Sequence, residues 1–136
     1  MLIDTNVWGE LTRPQPDPNV VEFIVKNERR LYLSTLVLAE IEFGIAKTID
    51  PVRALRLLQE RNDIVLRATD RILQPDFLTA TIWGKLKAAL DGSGKPIPDF
   101  DLMICAQAIA AEMPVVTRNV GHMARTGVTI INPWEA

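Results

Sequence analysis

Three carboxylates stand in this sequence where a carboxylate is costly. Asp4 follows Leu2 and Ile3 and precedes Thr5, Asn6, Val7 and Trp8. Glu40 lies within "STLVLAEIEFGI", with Leu36, Val37, Phe43 and Gly44 three and four residues away, its neighbours on a helix surface. Asp101 leads the nearly uncharged stretch "LMICAQAIAA". A buried charge without a partner is strongly unfavourable, so each acid requires an explanation. Each has a simple one. Asp4 is of the residue type that caps a helix starting near Val7. Glu40 reaches solvent if it lies at a helix edge. Asp101, like Asp99 before it, sits where a first-turn acid complements the helix dipole. Glu42, one residue pair beyond Glu40, is read as a solvent-edge acid.

The three acids come from separate segments, and together they carry a different reading. Two carboxylates at ~4 Å repel by about 4 kcal/mol at an effective dielectric near ~20. A divalent cation removes that conflict. A set of oxygen ligands with retained water describes Mg²⁺ or Mn²⁺. Zn²⁺ prefers sulfur and imidazole, and only Cys105 and His122 supply those. A metal held this way polarises a phosphoryl oxygen, lowers the pKa of a bound water and steadies a leaving oxygen.

The stretch "KPIPDFDLMICAQA" holds two aspartates, and helix geometry separates them. With Gln107 taken as the solvent side of a helix over 100–112, Asp99 lies about 80° away and Asp101 about 120° away at 100° per residue. Asp101 therefore leans inward, in line with Ile104, Cys105 and Ala108. Asp99 leans outward and is the better N-cap candidate.

The positioning elements alternate. Short strand-like runs occur at 2–4, 31–34, 70–74, 114–117 and 128–132, and helix-like ones at about 18–29, 35–48, 50–61, 76–91 and 100–112. Strands separated by helices predict an α/β fold, a central parallel sheet of about five short strands flanked by helices. Ser34 or Thr35 caps the second helix, which is apolar nearly all round and expected to be well buried. In open α/β sheets ligands gather beyond the carboxyl ends of the strands. Asp4 and Asn6 follow the first strand there. Thr117, Arg118 and Asn119 follow the fourth, where turn chemistry is their simpler role.

Length and composition bound the rest. The chain has 136 residues, 48% of them hydrophobic, which suits one domain over 1–136 with one core. A net charge of −2 exerts no global pull on nucleic acid, so any such site is a local basic patch. Arg118 is the best-placed cation, with Arg13 and Arg125 behind it. Arg53, Arg56, Lys85 and Lys87 read as solvated helix faces. Trp8, Trp83 and Trp134 are candidates for base stacking or, more simply, for packing. The single cysteine, Cys105, reads as a core residue. No secretory signal or bilayer-spanning run is visible, and a cytoplasmic protein with no membrane association is the expectation.

In order and separation, "LIDTNV", "STLVLAEIEFGI", "PDFDLMICAQA", "VVTRNV" and "INPW" resemble the PIN-domain family. The likeness is to the VapC-type toxin branch of bacterial toxin–antitoxin pairs, including its FitB-like members, and it spans essentially the whole chain. It implies a PIN-like α/β fold and a Mg²⁺- or Mn²⁺-dependent endoribonuclease, often acting on structured RNA such as tRNA. It also implies a homodimer, held inactive in a hetero-oligomer by a small antitoxin whose tail covers the acidic site. By motif, Asp4, Glu40 and Asp101 match the family's acids, and Asn6 and Thr117 match polar positions beside them. Asp99 matches none.

The chain departs from the family at one place. Many relatives carry a fourth acid around "TRN", at the position of Asn119 or near that of His122. Here Asn119 offers a carbonyl oxygen or positions a water, without charge. A single metal held mainly through water is the expectation that follows, with Arg118 gripping the RNA backbone. Two other readings are open. One is a PIN-like binding module with a degenerate site, acting through its antitoxin on DNA. The other is a phospho-acceptor receiver domain, disfavoured because "LIDTN" has one acid and "VVTRN" no lysine.

Overall fold

A computed structural model describes residues 1–135. The elements run β1 (Leu2–Ile3), α1 (Thr5–Leu11), α2 (Pro18–Asn27), β2 (Tyr32–Ser34), α3 (Thr35–Ala46), α4 (Pro51–Arg67) and β3 (Ile72–Leu73). They continue with α5 (Phe77–Gly92), α6 (Asp99–Ala110), β4 (Val115–Val116), α7 (Val120–Met123) and β5 (Ile130–Ile131). Single 3₁₀ turns occupy Glu28–Arg30, Ala124–Thr126 and Pro133–Glu135.

The five strands form one parallel sheet in the order β3-β2-β1-β4-β5. Ile3 is in register with Leu33 on one side and Val116 on the other. The chain winds outward from β1 through β2 to β3, then returns to the far side of β1 to lay down β4 and β5. The direction therefore reverses between β1 and β4, and the crevice beyond their carboxyl ends is where such sheets hold ligands. Both faces of the sheet are covered, so its strands are largely apolar: Leu2, Ile3, Leu33, Val115 and Val116 are fully buried, and Ser34 at the end of β2 is the polar exception. Val7, Val20, Val37, Ile104, Cys105 and Ala108 reach them from the helices. A smaller cluster of Leu90, Ile97 and Leu102, with Trp83 and Leu86, joins α5 to α6.

The fold class matches the expectation from the sequence. Several details differ. Helix α1 begins directly at Thr5, capped by Asp4, two residues before the start near Val7 that the capping reading of Asp4 gives. Helix α4 continues to Arg67 rather than ending near 61, because nothing between 61 and 67 breaks it. The four-residue α7 was also unforeseen. Ser34, not Thr35, caps α3: its hydroxyl accepts from the Leu36 amide at 3.0 Å. Helix α3 is not well buried. Val37 is its one buried residue, and Phe43 is 66% exposed. The apolar outer face of α3 borders a groove with α1 and α4 instead of a further layer.

Candidate active site

Asp4 ends β1, and its 5% exposure places it in the crevice wall. Its carboxylate accepts three hydrogen bonds. Oδ1 accepts from the Thr5 amide at 2.7 Å, which caps α1. Oδ2 accepts from the Asn6 side-chain amide and from the Thr117 hydroxyl, each at 2.7 Å. The capping role and the inward, site-lining role are thus held by the same side chain. Burial pushes the Asp4 pKa up, against the opposing pull of the Thr117, Thr5 and Asn6 donors. Those donors are all neutral, so Asp4 is solvated by dipoles and paired with no cation.

Asn6 and Thr117 bridge β1 to β4. The Asn6 amide also donates to the Thr117 hydroxyl oxygen at 3.1 Å, and its own oxygen accepts from the Arg118 backbone at 3.2 Å. The Asn119 backbone amide donates to the Thr117 hydroxyl oxygen at 2.9 Å. Turn chemistry at Thr117 and Asn119 is therefore present, and it faces the acids.

Glu40 lies one and a half turns into α3 and is half-buried. It accepts a hydrogen bond from the Thr5 hydroxyl. Burial raises its pKa first, with Thr5 opposing and the charges of Asp4 and Asp101 adding to the rise. Asp101 lies in the first turn of α6. Burial again raises its pKa first, Asp4 adds to the rise, and His122 and the Asn119 amide oppose it. Three acids on three elements thus sense each other at the carboxyl edge of the sheet.

Asn119 does not turn its carbonyl toward this crevice. Its side-chain nitrogen donates to Asp101 Oδ2 at 2.8 Å. His122, on α7, brings Nδ1 to 4.0 Å from the same oxygen. The sequence offers His122 only as a weak Zn²⁺ ligand and as a place where an acid is missing, not as a neighbour of Asp101. Thr5 was not singled out at all, although a hydroxyl next to Asp4 was the available signal.

The two aspartates of the opening of α6 separate as expected, though for a different reason. Gln107 is not on the solvent side: it is 2% exposed, and Ser34 donates its hydroxyl proton to the Gln107 side-chain oxygen at 2.5 Å. A polar residue in an apolar helix marked a buried hydrogen bond between β2 and α6, not a solvated face. Asp101 is nevertheless the inward acid, 19% exposed against 68% for Asp99. Asp99 is not the N-cap. That position is Pro98, with no side-chain bond, and Asp99 pairs with Lys87 across to α5 at 3.0 Å. Glu42 faces outward as expected and meets Arg61 at 3.4 Å.

Of the cations, Arg118 is exposed at the rim, with its guanidinium 5.4 Å from the centre of the Trp134 ring. Arg13 is occupied by Glu10 at 3.1 Å, a buried carboxylate that also accepts from the Asp17 amide at 2.9 Å and so closes the loop between α1 and α2, which carries Pro14 and Pro16. Trp8 is buried. Beside the acids, between α1, α3 and α4, opens a groove of about 630 Å³. Thr5 and Glu40 stand at its wall, and Ile41, Ile45, Leu57 and Ile64 give it an apolar lining.

A hard divalent cation fits the chemistry of this donor set, which is carboxylate oxygen with adjacent hydroxyls. Among the described residues no three His, Cys, Asp or Glu side chains gather closely enough to ligate an ion directly. The spacing leaves ligand positions to water, as Mg²⁺ favours.

An open parallel sheet with an acid at the reversal point and two further acids from flanking helices makes an acidic crevice beyond the carboxyl ends of the strands, where such sheets hold ligands. The PIN domain family model matches residues 1–128, and the chain belongs to that family. It is 33% identical to the VapC ribonuclease Y4jK of Sinorhizobium fredii, over 99% of this chain and 98% of that one. It is 32% identical to toxin FitB of Neisseria gonorrhoeae, over 99% of each. The structure of FitAB bound to an IR36 DNA fragment superposes with a TM-score of 0.89 at 32% identity, covering 98% of this chain and 94% of that one. Among the described residues no helix is long and apolar enough to cross a membrane.

Proposed function

We propose that this chain, as a single PIN-like domain, is the toxin of a type II toxin–antitoxin pair and a Mg²⁺- or Mn²⁺-dependent endoribonuclease. The observation that carries the reading is the convergence of Asp4, Glu40 and Asp101 at the sheet's reversal point, each raised from its ordinary value by burial, with Asp4 raising the other two. Acids that repel one another, with neutral donors around Asp4 and Glu40 and only His122 near Asp101, are poised for a cation. The ribonuclease and toxin names of relatives more than 30% identical over nearly the full length support the same activity.

Asp4, Glu40 and Asp101 would hold the ion, directly or through water. Bound there, it would supply Lewis-acid stabilisation of the scissile phosphate and a more acidic water. The chain's own residues supply orientation. Thr117 and Asn6 both donate to Asp4 Oδ2 and fix the orientation of its carboxylate. Thr5 fixes Glu40, and Asn119 fixes Asp101. Arg118 offers a cation to the RNA backbone, where phosphate contacts position the substrate.

The partners follow the same reading. The groove beside Glu40 suits the apolar tail of a small antitoxin, which would cover the acids from there. The FitAB–DNA likeness supports a toxin–antitoxin assembly that reaches DNA through the antitoxin, and the exposed apolar residues on α3 and α5 support a homodimer. A cytoplasmic location agrees with RNA as the substrate.

The test is RNA cleavage by the protein free of antitoxin. Cleavage is expected with Mg²⁺ or Mn²⁺, stops with EDTA, and is abolished by Asp4→Asn while circular dichroism is retained. Undiminished cleavage by Asp4→Asn overturns the site. The absence of a fourth carboxylate favours one rival, a degenerate module that binds its partner without hydrolysing RNA. That rival requires no metal binding by calorimetry together with intact partner binding.

A further inference from the structure

Arg118 is a cation at the lip of an acidic crevice, and it pairs with none of the acids. Among the described residues no carboxylate lies within ion-pair range of its guanidinium, although Asp4 and Asp101 are anchored to its immediate neighbours Thr117 and Asn119. Instead the guanidinium lies against the Trp134 ring, 5.4 Å from its centre, within cation–π range.

Both ends of this contact are fixed. The Arg118 backbone amide donates to Asn6 Oδ1 at 3.2 Å, and Asn6 in turn donates to Asp4. The Trp134 amide donates to Asn132 Oδ1 at 3.2 Å, Pro133 is buried, and the indole packs on the main core. A flexible side chain beside several uncompensated carboxylates would otherwise swing inward and neutralise them. Held on the indole, it keeps the planar fork that matches a phosphate's two oxygens and loses less freedom on binding one.

We infer that Arg118 and Trp134 form one RNA-binding element: Trp134 is a positioning residue that holds the Arg118 guanidinium off the acids and presents it to a backbone phosphate of single-stranded RNA at the crevice lip. This rests on the ribonuclease reading above and extends it to a residue pair outside the acid set. It makes Arg118 unlike a general surface cation, because its contribution depends on an aromatic ring beneath it.

The test measures binding of a fluorescein-labelled, mixed-sequence, single-stranded RNA oligonucleotide to an Asp101→Asn background across a salt series. Arg118→Ala is expected to weaken binding by about tenfold and to lower the salt slope by about 0.7, the value of one phosphate on a single strand. Trp134→Leu is expected to lose affinity and slope in the same direction, Trp134→Phe to keep most of both, and the Arg118→Ala, Trp134→Leu pair to be no weaker than Arg118→Ala alone. Arg118→Lys, at an exposed position that leaves the fold intact, keeps the charge but not the stacked fork and is expected to fall well short of arginine. The inference is overturned if the two losses add, if Trp134→Leu leaves the slope unchanged, or if Arg118→Lys binds like the parent. Cleavage of RNA by the wild-type protein together with any of those results leaves the ribonuclease reading standing. A wild type that neither binds nor cleaves RNA overturns both.

Discussion

The side-chain amide of Asn119 donates to Asp101 Oδ2 at 2.8 Å. A neutral donor therefore stands where a fourth acid would face the third. In the metal-free protein that bond helps Asp101 ionise, opposing the rise that burial causes. Replacing it by Asn119→Asp removes a donor and adds a like charge.

The expected outcome has two signs. Without metal, Asn119→Asp lowers Tm by several degrees, on the order of 1 kcal/mol in a domain of this size. With Mn²⁺ present, the variant gains more Tm than wild type does and binds the ion about tenfold more tightly, since each added carboxylate ligand raises affinity for a hard cation. Thermal melts and calorimetry with and without EDTA check both. Equal melting shifts on adding Mn²⁺ would show that residue 119 does not face the ion.

Asp99 and Asp101 sit two residues apart on α6 and are expected to behave oppositely. Asp101→Asn should lower RNA cleavage by more than about 100-fold, beyond the usual effect of removing a group that merely supports a metal ligand. Asp99→Asn should cleave like wild type, because that carboxylate is exposed and meets only Lys87. Parallel cleavage assays decide, and a large loss in Asp99→Asn would move the site outward along the helix.

The pH dependence has a definite direction. Burial first, and the charge of Asp4 after it, push Glu40 and Asp101 above their ordinary values, against the Thr5 bond to Glu40 and the His122 and Asn119 contacts to Asp101. The folded protein therefore binds these protons more tightly than the unfolded chain. The stability this contributes is full below about pH 4, where both states are protonated, and is lost as pH rises through the raised folded values. An amide cannot ionise, so Asp101→Asn should gain in Tm relative to wild type as pH rises from about 4 to 7 in EDTA. Divalent cation should shrink the gap by restoring the wild type. A difference that stays flat with pH would mean that Asp101 titrates normally.

The thiol of Cys105 is pushed up to about 11 by burial. At pH 8 almost none of it is thiolate, and the thiolate is the reactive form. Iodoacetamide labelling is expected to be undetectable in the native protein and complete in denaturant. Fast native labelling would show that the core beneath α6 opens.

Much of this arrangement was legible in the sequence because it rests on local rules. Asp4 after two buried apolar residues, Ser34 before an apolar helix and the alternation of strand and helix all follow from burial and capping. The order of the sheet, and with it the reversal between β1 and β4, is set by pairing between distant strands that no local pattern reports. The same limit explains Gln107. Its polarity was visible, but its partner Ser34 lies 73 residues away on another element. Helix α3 misled in the opposite way: composition gives its hydrophobicity, while only the neighbouring elements decide whether a face is covered.

The Ser34–Gln107 bond gives the sharpest stability prediction. Both residues are buried, and Gln107 Nε2 has no partner, so the amide already has one polar group unmet. Ser34 donates to Gln107 on α6 and at the same time caps α3 through the Leu36 amide. One hydroxyl thus ties the helix that carries Glu40 to the helix that carries Asp101. Ser34→Ala removes the cap, at about 1 kcal/mol, and strands the Gln107 oxygen, at about 1–3 kcal/mol more. Gln107→Leu discards both amide groups, keeps the cap and matches an apolar helix, so it should cost less than Ser34→Ala despite deleting the same bond. Urea melts on the two variants check the order. If Gln107→Leu proves the more damaging, the amide nitrogen has a partner such as a buried water that the alanine variant retains.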